Sequence, residues 1–571
     1  MSSATAASPS RAAGATRSAS PAVGRWLTAS VIAGAVALRL SGLARVPGDP
    51  YYDAAVRSMG TSWHNLLFGA FEPGGSVAVD KPPLDLWLQV ASTKLLGFDS
   101  AALILPEAVA GCAAVLALFL LLRRLFGLAE ALAGAAALAV LPVSVLTARS
   151  DTMDALAVAL ALAAALLLAR GAASGGRWPL IGAGAAVGLA FNVKLFQALV
   201  PVPALVVLYL AGSDLRLPVR LSRLALAAAV AVAVGLSWIA VVTEAPAGTK
   251  PWVTGSTDGS ALNAVFVYNG IDRLEGGTGA AGQAATPNAD VPDGPGALRL
   301  AGAGGTLDLR LASELVPALL GGVLALLAAA LARRRRPAGT QASGRLARAG
   351  ALAIGTWLVT GLVLFSVLGH LKVRYLEAMS PAVAATLGVS VVALARRLHA
   401  RGWVTAAALA VLLAVPAQQS FALARAGASD SERIGAMAPG ELQALSSFLR
   451  SHDHGAHYEV ASATAVKAAA LVVRDGRPVM LLDAFGREPI LPFSTFLRAV
   501  GHGQVRYLLM TAGCNRSCGP AVAWALQHGR DVTRQAALPG RGILYALPAN
   551  AARAQARRLP APTPHRPAAR G

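Results

Sequence analysis

Charged residues are scarce in this sequence: they make up 14% of its 571 residues, whereas hydrophobic residues make up 55%. The mean hydropathy is +0.56. The core of a soluble protein cannot hide this much apolar surface, so bilayer lipid must solvate a large part of it. The composition therefore excludes an ordinary soluble protein and predicts an integral membrane protein.

Aromatic residues are also few, at 5%, while alanine and glycine are abundant, which suits helices that pack closely through small residues. The formal net charge of +21 would suit a nucleic-acid partner if the arginines formed one basic surface. They lie instead in short clusters between apolar runs, where they orient membrane helices. We therefore expect the lipid bilayer, and no nucleic acid, as a partner.

Eleven apolar runs are each close to the roughly 20 residues that a hydrocarbon core requires. They cover residues 26–44, 101–122, 128–147, 153–169, 178–194, 195–211, 222–243, 312–332, 350–369, 374–395 and 403–423. The fifth and sixth runs are separated only at Asn192–Lys194, which demands a very tight hairpin. The predicted fold class is a polytopic α-helical membrane protein with about 11 transmembrane helices.

Arginine clusters fall in alternate connections between these runs, which predicts the orientation of the chain. The N-terminus is then cytoplasmic, and the chain after Leu423 lies outside the plasma membrane. The two long outer connections, residues 45–100 and 244–311, are where function is expected. Residues 276–305 of the second connection are rich in glycine and proline and suit either a mobile lid or a disordered linker.

The pattern divides the chain into four parts. We predict a disordered cytoplasmic tail at 1–24, a membrane domain at 25–424, an extracytoplasmic α/β domain at 430–549, and a disordered basic tail at 550–571. In the α/β domain, short apolar runs alternate with helical patterns at 441–450 and 493–499. The predicted strands are 458–461, 470–473, 479–482 and 505–510.

Ionisable residues at the outer ends of the spans are functional candidates, because charge beside a bilayer is costly unless it is paired. An acidic base together with lysine and arginine is what group transfer from a lipid phosphate requires. The alternative is that these cations only extend toward the interface and that the aspartates only form turns. The candidates are Asp49, Asp53, Asp80, Lys81, Asp151, Asp154, His370, Lys372 and Arg374.

The three cysteines give little evidence of metal or redox chemistry. Cys112 lies in an apolar run, and Cys514 and Cys518 lack the Cys-x-x-Cys spacing of a redox or zinc motif. We predict a structural disulfide between Cys514 and Cys518 if that region faces an oxidising compartment. His452, His454 and His457 have no acidic or cysteine partner at a suitable spacing, so we predict no metal site there.

Several segments carry a family resemblance, and the Asp-Lys-Pro-Pro and Tyr-Asn-Gly stretches make it specific. With these segments the chain resembles the bacterial family-39, GT-C type glycosyltransferases, which are related to protein mannosyltransferases and lipid A aminoarabinose transferases. Within them it is most similar to the mannosyltransferase-like branch of the YkcA/YkcB type. The segments are 51–59, 62–65, 73–84, 151–156, 191–194, 252–260, 268–274, 380–382 and 503–507.

The resemblance implies a role for several of the candidates. An acidic residue of the first outer loop would be the catalytic base, Lys81 would contact the lipid phosphate, and Asp154 would open the fourth span. Tyr52 and Arg57 lie in the same motif as the base and join the substrate-binding candidates. Relatives carry Asp-Glu or Asn where Asp49 stands alone before Pro50, so both Asp49 and Asp53 remain candidates for the base.

We therefore expect an inverting transferase that moves a hexose-like sugar from a polyprenyl phosphate to a cell-envelope acceptor at the outer face of the plasma membrane. No nucleotide-binding glycine-rich loop is visible, which fits a lipid donor. No cofactor is predicted with certainty, and a divalent cation remains open. The alternatives are a transporter or lipid flippase, which predicts internal repeats, and a catalytically inactive envelope scaffold.

Overall fold

A computed structural model provides the fold. It describes residues 21–272, 295–296, 299–301, 309–332, 341–368, 371–431, 433–483, 489–510 and 518–559. The helices of the membrane part are α1 (Pro21–Leu40), α2 (Pro50–Met59), α3 (Trp63–Phe68), α4 (Leu84–Leu96), α5 (Ser100–Leu125), α6 (Leu128–Val140), α7 (Pro142–Thr147), α8 (Asp154–Ser174), α9 (Trp178–Lys194), α10 (Val202–Gly212), α11 (Leu217–Glu244), α12 (Leu309–Ala332), α13 (Gln341–Val367), α14 (Ser380–Arg397) and α15 (Gly402–Arg425).

Among the described residues, eight helices are long and apolar enough to cross a membrane. They are Ala22–Arg45, Ser100–Leu125, Asp154–Ser174, Trp178–Leu199, Leu217–Glu244, Gly344–Val367, Val373–Arg397 and Gly402–Arg425. Three shorter apolar helices, Leu128–Val140, Val202–Gly212 and Leu311–Leu327, occupy the other predicted spans. An apolar helix therefore stands at each of the eleven predicted positions, and the number that crosses the bilayer stays a prediction.

Small residues allow these helices to approach one another closely. α9 packs between α8 and α11. At Gly188 of α9, a Cβ atom would lie only 2.7 Å from the carbonyl oxygen of Ala231 on α11, so a larger residue would push the two helices apart. This is the close packing that the alanine and glycine content predicts.

The predicted tight hairpin after α9 is a short irregular connection. α9 ends at Lys194, and a 3-10 turn at Leu195–Leu199 leads into α10, whose first turn begins beside Pro201. Leu195 has φ 49°, which is uncommon for a residue with a Cβ atom. This strained turn places Lys194 and Leu195 at the predicted outer end of the helix pair.

The first outer connection folds into short helices. α2 begins at Pro50, and the side chain of the preceding Asp49 accepts a hydrogen bond from the backbone N–H of Tyr51 at 3.1 Å, which caps the helix. Strand β1 (Val77–Ala78) follows α3 and pairs in parallel with β2 (Trp252–Val253) of the second outer connection. The two outer connections are thereby joined directly.

The C-terminal part is an α/β unit with a five-stranded mixed sheet. Its strands are β3 (Ala461–Ser462), β4 (Met480–Leu481), β5 (Tyr507–Leu509), β6 (Arg530–Asp531) and β7 (Leu544–Ala546), in the order β4-β3-β5-β7-β6. β3 runs parallel to β4 and β5, and β7 is antiparallel to β5 and β6. The helices are α16 (Pro439–His452), α17 (Ala465–Asp475), α18 (Phe493–Gly501), α19 (Pro520–His528) and α20 (Ala549–Ala556).

Two predictions for this unit are wrong in detail. Residues 470–473 form part of helix α17 rather than a strand, because their apolar side chains continue the buried face of that helix. The predicted disordered tail from residue 550 begins instead as helix α20. Its Ala552 is buried, and Arg553 Nη1 donates to the carbonyl of Gly501 at 2.6 Å, which holds α20 on α18.

The two predicted tails lie largely outside the described residues. Within the N-terminal one, the described chain starts with α1 at Pro21, four residues before the predicted boundary. Most of the glycine-rich 276–305 segment also lies outside the described residues.

The α/β unit packs directly on the first outer connection. α17 lies against α2, and the carboxylate of Glu72 accepts backbone hydrogen bonds from Gly74, from Ser76 and from Val479 at the edge of β4. Farther along, the backbone N–H of Asp430 donates to Ser150 Oγ at 2.6 Å. The outer loop, the start of α8 and the α/β unit therefore form one continuous structure around the candidate site.

Candidate active site

A cavity of about 500 Å³ opens at the predicted outer end of the helices, between the first outer connection, the turn after α9 and the end of α13. Its walls combine several cations with many apolar and aromatic side chains. The lining residues are Tyr51, Tyr52, Asp80, Lys81, Lys194, Leu195, Phe196, Gln197, Phe266, Asn269, Gly270, Ile271, Leu364, Phe365, Leu368, Arg374, Tyr375 and Ile434. We call it the cationic cavity.

Lys81 stands on one wall of this cavity. Its Nζ donates to Tyr52 Oη at 2.9 Å and lies 3.5 Å from Asp80 Oδ1. The backbone carbonyl of Asp80 accepts a hydrogen bond from Asn269 Nδ2 at 2.7 Å, so the Tyr-Asn-Gly stretch fixes the Asp-Lys-Pro-Pro loop. Tyr52, Asp80 and Lys81, three predicted substrate-binding residues, are thus brought together at the cavity.

A second cation, Arg374, reaches the cavity from the 3-10 turn at Val373–Met379 that precedes α14. Lys372, from the same motif, is buried and is not among the lining residues. His370 lies outside the described residues.

Lys194 is a third cation of the cavity, and the sequence reasoning did not select it as a site residue. Its Nζ is 2.9 Å from Asp154 Oδ2, and it also contacts the carbonyl oxygen of Thr152. Both side chains of the ion pair are largely buried, at 9% and 2% exposed. The sequence did contain a signal for this residue, which is a lysine between two apolar runs. An ionisable residue at or within a membrane span is a functional candidate by default.

Three carboxylates lie together behind the aromatic wall of the cavity. The backbone N–H of Asp49 donates to Asp151 Oδ2 at 2.6 Å, although the two residues are 102 positions apart. The carboxyl of Asp53 lies against Gly48, where any Cβ atom would collide with it, and it hydrogen-bonds to Asp151. We call Asp49, Asp53 and Asp151 the acid cluster.

Burial, together with the neighbouring carboxylates of Asp151 and Asp49, raises the pKa of Asp53 well above its usual range. Burial also raises the pKa of Asp151, while hydrogen bonds from the backbone of Asp49 and from Asp53 oppose that rise. Two carboxylates in contact cannot both ionise cheaply, so their contact favours one shared proton, carried on Asp53 and donated in the hydrogen bond to Asp151.

Further buried polar residues, which sequence reasoning missed, support the acid cluster. Gln89 Nε2 donates to Asp85 Oδ2 at 2.6 Å and lies 3.4 Å from the carbonyl oxygen of Asp151. Glu107 accepts the backbone N–H groups of Ala155 and Leu156 and so caps the start of α8. These contacts hold the turn that carries Asp151 and Asp154.

Arg57 is placed elsewhere. Its guanidinium lies over the ring of Phe98, 5.2 Å from the centroid, and next to Gly476 of the α/β unit. It is not among the residues that line the cavity. The motif that places Tyr52 in the cavity therefore places Arg57 at the contact between α2 and the α/β unit.

The cysteine prediction is only partly covered by the described residues. Cys518 is in a disulfide, and its predicted partner Cys514 lies outside the described residues. Cys112 is free. Within the described part of the chain, no group of three or more histidine, cysteine, aspartate or glutamate residues is arranged to hold a metal ion.

Comparison with known proteins gives two family matches. Residues 80–240 match the family described as dolichyl-phosphate-mannose-protein mannosyltransferase, and residues 445–528 match "Putative mannosyltransferase YkcB-like, C-terminal". The first match contains Lys81, Asp151, Asp154 and Lys194, and the second lies within the α/β unit. The family resemblance found in the sequence is confirmed.

Two Bacillus subtilis (strain 168) proteins are similar to the chain. "Putative mannosyltransferase YkcB" is 37% identical over 243 residues, which cover 43% of this chain and 34% of that protein. "Putative mannosyltransferase YycA" is 26% identical over 85% of this chain and 91% of that protein. The alignment thus spans about a third of the first relative and most of the second.

Among solved structures, ArnT from Cupriavidus metallidurans, bound to undecaprenyl phosphate, superposes with a TM-score of 0.56 over 92% of this chain and 98% of that one, at 17% identity. The protein has the GT-C fold. The GT-C fold and the relatives named as mannosyltransferases together indicate a membrane glycosyltransferase. The predicted fold class is confirmed.

Proposed function

We propose that this GT-C protein is an inverting glycosyltransferase. It moves a hexose-like sugar from a polyprenyl phosphate to a lipid, polymer or protein acceptor of the cell envelope. The observation that carries the proposal is the composition of the cationic cavity, in which Lys81, Lys194 and Arg374 share one space with an extended apolar and aromatic wall. The names of the relatives favour mannose as the sugar.

A lipid-linked donor matches both parts of this cavity. Its phosphate would bind the cations through charge-assisted hydrogen bonds, each worth roughly 1.5–3 kcal/mol. Its isoprenoid chain would lie along side chains such as Phe196, Phe266 and Phe365. The ArnT structure, which has undecaprenyl phosphate bound, supports a polyprenyl-phosphate carrier for this fold.

In the proposed reaction, an acceptor hydroxyl attacks the anomeric carbon of the donor sugar from the face opposite the phosphate. The hydroxyl proton passes to a carboxylate, the bond between the anomeric carbon and the phosphate oxygen breaks, and the configuration inverts. The polyprenyl phosphate leaves with an added negative charge, which Lys81 stabilises.

We assign the base to Asp49 rather than Asp53. Burial and the neighbouring carboxylates raise the pKa of Asp53, which disfavours its ionised form, and only an ionised carboxylate can accept the acceptor's proton. Asp49 adjoins the same turn as Tyr51 and Tyr52, whose side chains line the cavity. Asp80, which itself lines the cavity, is the next candidate.

The orientation of the site follows from the arginine clusters. Reporters fused after Arg124 and after Arg336 should be cytoplasmic, and a reporter fused after Asp430 should be outside. An inside location at Asp430 would place the cavity on the side that holds nucleotide sugars and would remove the argument for a lipid donor.

The direct test is transfer by the purified full-length protein. It would be supplied with polyprenyl phosphates that carry a radiolabelled mannose, glucose or aminoarabinose and with an envelope extract as acceptor. Transfer of label from one of these donors, and not from the matching nucleotide sugar, is the expected result. Donor binding without any transfer would favour an inactive scaffold, and movement of the intact donor across vesicle membranes would favour a flippase.

A further inference from the structure

Three polar side chains from separate elements form a hydrogen-bonded network inside the helix bundle. They are Arg39 on α1, Ser144 on α7 and Glu377 in the 3-10 turn at Val373–Met379. Each is at most 1% exposed, and none is among the residues that line the cationic cavity. We call these three residues the buried network. The proposed reaction gives them no role so far.

Arg39 fixes the network at a break between two helices. Pro142 begins α7 and has no N–H, so the carbonyl of Leu138, four residues earlier in α6, cannot receive the usual helical hydrogen bond. Arg39 Nη2 donates to this carbonyl at 3.0 Å, and Nη1 donates to the carbonyl of Ala139 at 2.9 Å. The guanidinium therefore replaces the bond that proline removes, and this fixes it beside the first turn of α7.

Ser144 connects this fixed guanidinium to Glu377. Arg39 Nη2 also donates to Ser144 Oγ at 3.0 Å, and an arginine can only donate, so the serine oxygen accepts that bond. The serine hydroxyl in turn donates to Glu377 Oε1 at 3.0 Å, across 233 positions of the chain. The two bonds together join α1 and α7 to the 3-10 turn.

The turn that contains Glu377 is the one that brings Arg374 to the cationic cavity. Residues three apart lie on the same side of a 3-10 turn, so the bond to Glu377 sets the direction in which Arg374 leaves it. Trp357 on α13 also holds this turn, because its Nε1 donates to the carbonyl of Ala378 at 2.7 Å. The orientation of the turn is therefore set by residues outside the cavity.

Helix α7 also leads to the acid cluster. It ends at Thr147, and Asp151 follows four residues later. The positive charge of Arg374 acts on Asp151, where it opposes the rise in the pKa of that carboxyl that burial causes. The bond between Ser144 and Glu377 thus ties the segment that leads to Asp151 to the turn that carries Arg374.

We propose that Ser144 and Glu377, held by Arg39, are positioning residues that aim Arg374 at the phosphate of the lipid donor. They act through Arg374 and touch no substrate. This inference rests on the proposed function, in which the cations of the cavity bind that phosphate. The strength of a charge-assisted hydrogen bond depends on its distance and angle, so a displaced guanidinium binds the phosphate more weakly although its charge is unchanged.

The test is a double-mutant cycle on the affinity for undecaprenyl phosphate. The radiolabelled lipid phosphate is titrated against the full-length protein in phosphatidylcholine nanodiscs, without acceptor. Ser144→Ala removes the link to Glu377 and keeps the bonds from Arg39 to α6. It should weaken binding about threefold to tenfold in the wild-type background and in Lys81→Ala. In the Arg374→Gln background it should have no further effect, because the group that it positions is gone.

A second pair of variants separates the hydrogen bond from the charge of Glu377. Glu377→Gln and Glu377→Leu remove the same charge, but only the glutamine keeps an oxygen that can accept from Ser144. Glu377→Gln should therefore bind the lipid phosphate more tightly than Glu377→Leu. Ser390→Ala is the matched control and should bind like wild type, because Ser390 is also buried but its hydroxyl donates to the carbonyl of Leu387 in its own helix.

An equal loss of affinity from Ser144→Ala in the wild-type and Arg374→Gln backgrounds would overturn the positioning role and leave a purely structural one. Wild-type affinity in Ser144→Ala, or equal affinity in Glu377→Gln and Glu377→Leu, would overturn it as well. Absence of binding to the wild-type protein would overturn the proposed function itself, and the inference with it.

Discussion

The cationic cavity and the acid cluster lie side by side, yet their charged groups are arranged in opposite ways. The cations Lys81, Lys194 and Arg374 reach the wall of a 500 Å³ space. The acids Asp49, Asp53 and Asp151 are buried behind that wall and bond to one another and to backbone N–H groups. The cavity is therefore suited to receive an anion, whereas the carboxylates of the acid cluster are held in fixed positions by hydrogen bonds.

This difference follows from the cost of burying charge. Cations beside an open space keep part of their hydration until an anion replaces it. Carboxylates without such a space lower their cost by sharing a proton and by accepting backbone hydrogen bonds. The comparison predicts that substitutions in the two regions affect different steps of the reaction.

The largest effect is expected for Asp49→Asn. If Asp49 is the base, turnover should fall by about a hundredfold or more while donor affinity stays nearly unchanged, because the proton moves only in the transition state. Turnover is measured with saturating donor, and affinity by titration of the donor in the absence of acceptor.

Asp99→Asn provides a matched control for the loss of a helix cap. Asp99 caps α5 by accepting the N–H of Ala102 at 2.8 Å, much as Asp49 caps α2, but it is not part of the acid cluster and the residues that follow it do not line the cavity. If Asp49→Asn turns over like wild type, Asp49 is not the base, and Asp80→Asn becomes the next variant to measure.

Lys81→Ala should have the next largest effect and should change both quantities. Loss of one charge-assisted hydrogen bond to the phosphate is expected to weaken donor binding by about tenfold to a hundredfold and to lower turnover as well. Lys94→Ala, at the exposed end of α4, is the control for loss of one positive charge. Donor affinity equal to that of wild type in Lys81→Ala would show that the cavity does not bind the donor through this wall.

Lys194 joins the cavity to the turn that carries Asp151, through Asp154 and the carbonyl of Thr152, so its substitution should affect both stability and binding. Lys194→Met leaves the Asp154 carboxylate buried without its partner and should destabilise the protein by about 3–5 kcal/mol. The double variant Asp154→Asn/Lys194→Met should recover most of that stability in thermal unfolding and still bind the donor about tenfold more weakly. If the double variant recovers both its stability and its affinity for the donor, the role of Lys194 is structural alone.

The smallest effect is expected for Asp53→Asn, in the dependence of stability on pH. The raised pKa means that the folded protein holds this proton at a pH where the unfolded chain has released it. Stability should therefore decrease as the pH rises from about 4, the usual pKa of aspartate, to the raised pKa of Asp53. The amide cannot ionise, so the variant should lose this slope in melting curves.

Asp258→Asn, at an exposed aspartate of the second outer connection, is the control and should melt like wild type at each pH. Parallel pH profiles for wild type and Asp53→Asn would mean that Asp53 is ionised in the folded protein, and it would then return as a candidate base.

The sequence by itself located the helices. Apolar runs and arginine clusters are local features, and the partition of a 20-residue segment into lipid depends on its own composition, so each predicted span has an apolar helix at its position. The Asp-Lys-Pro-Pro motif was also visible in the sequence, and its Asp80 and Lys81 line the cavity, while their roles stay predictions. Strand assignment at 470–473 was wrong because a short buried helix and a buried strand have the same apolar composition.

Only the tertiary structure decided which charged groups meet. Asp49 and Asp151 are 102 positions apart, and Lys194 is 40 positions from Asp154, so no local pattern specifies either contact. The pKa of Asp53 depends on that meeting, since burial and two neighbouring carboxylates raise it. A sequence states which residues can ionise, but their solvation and their partners, which set the energy of ionisation, exist only once the chain has folded.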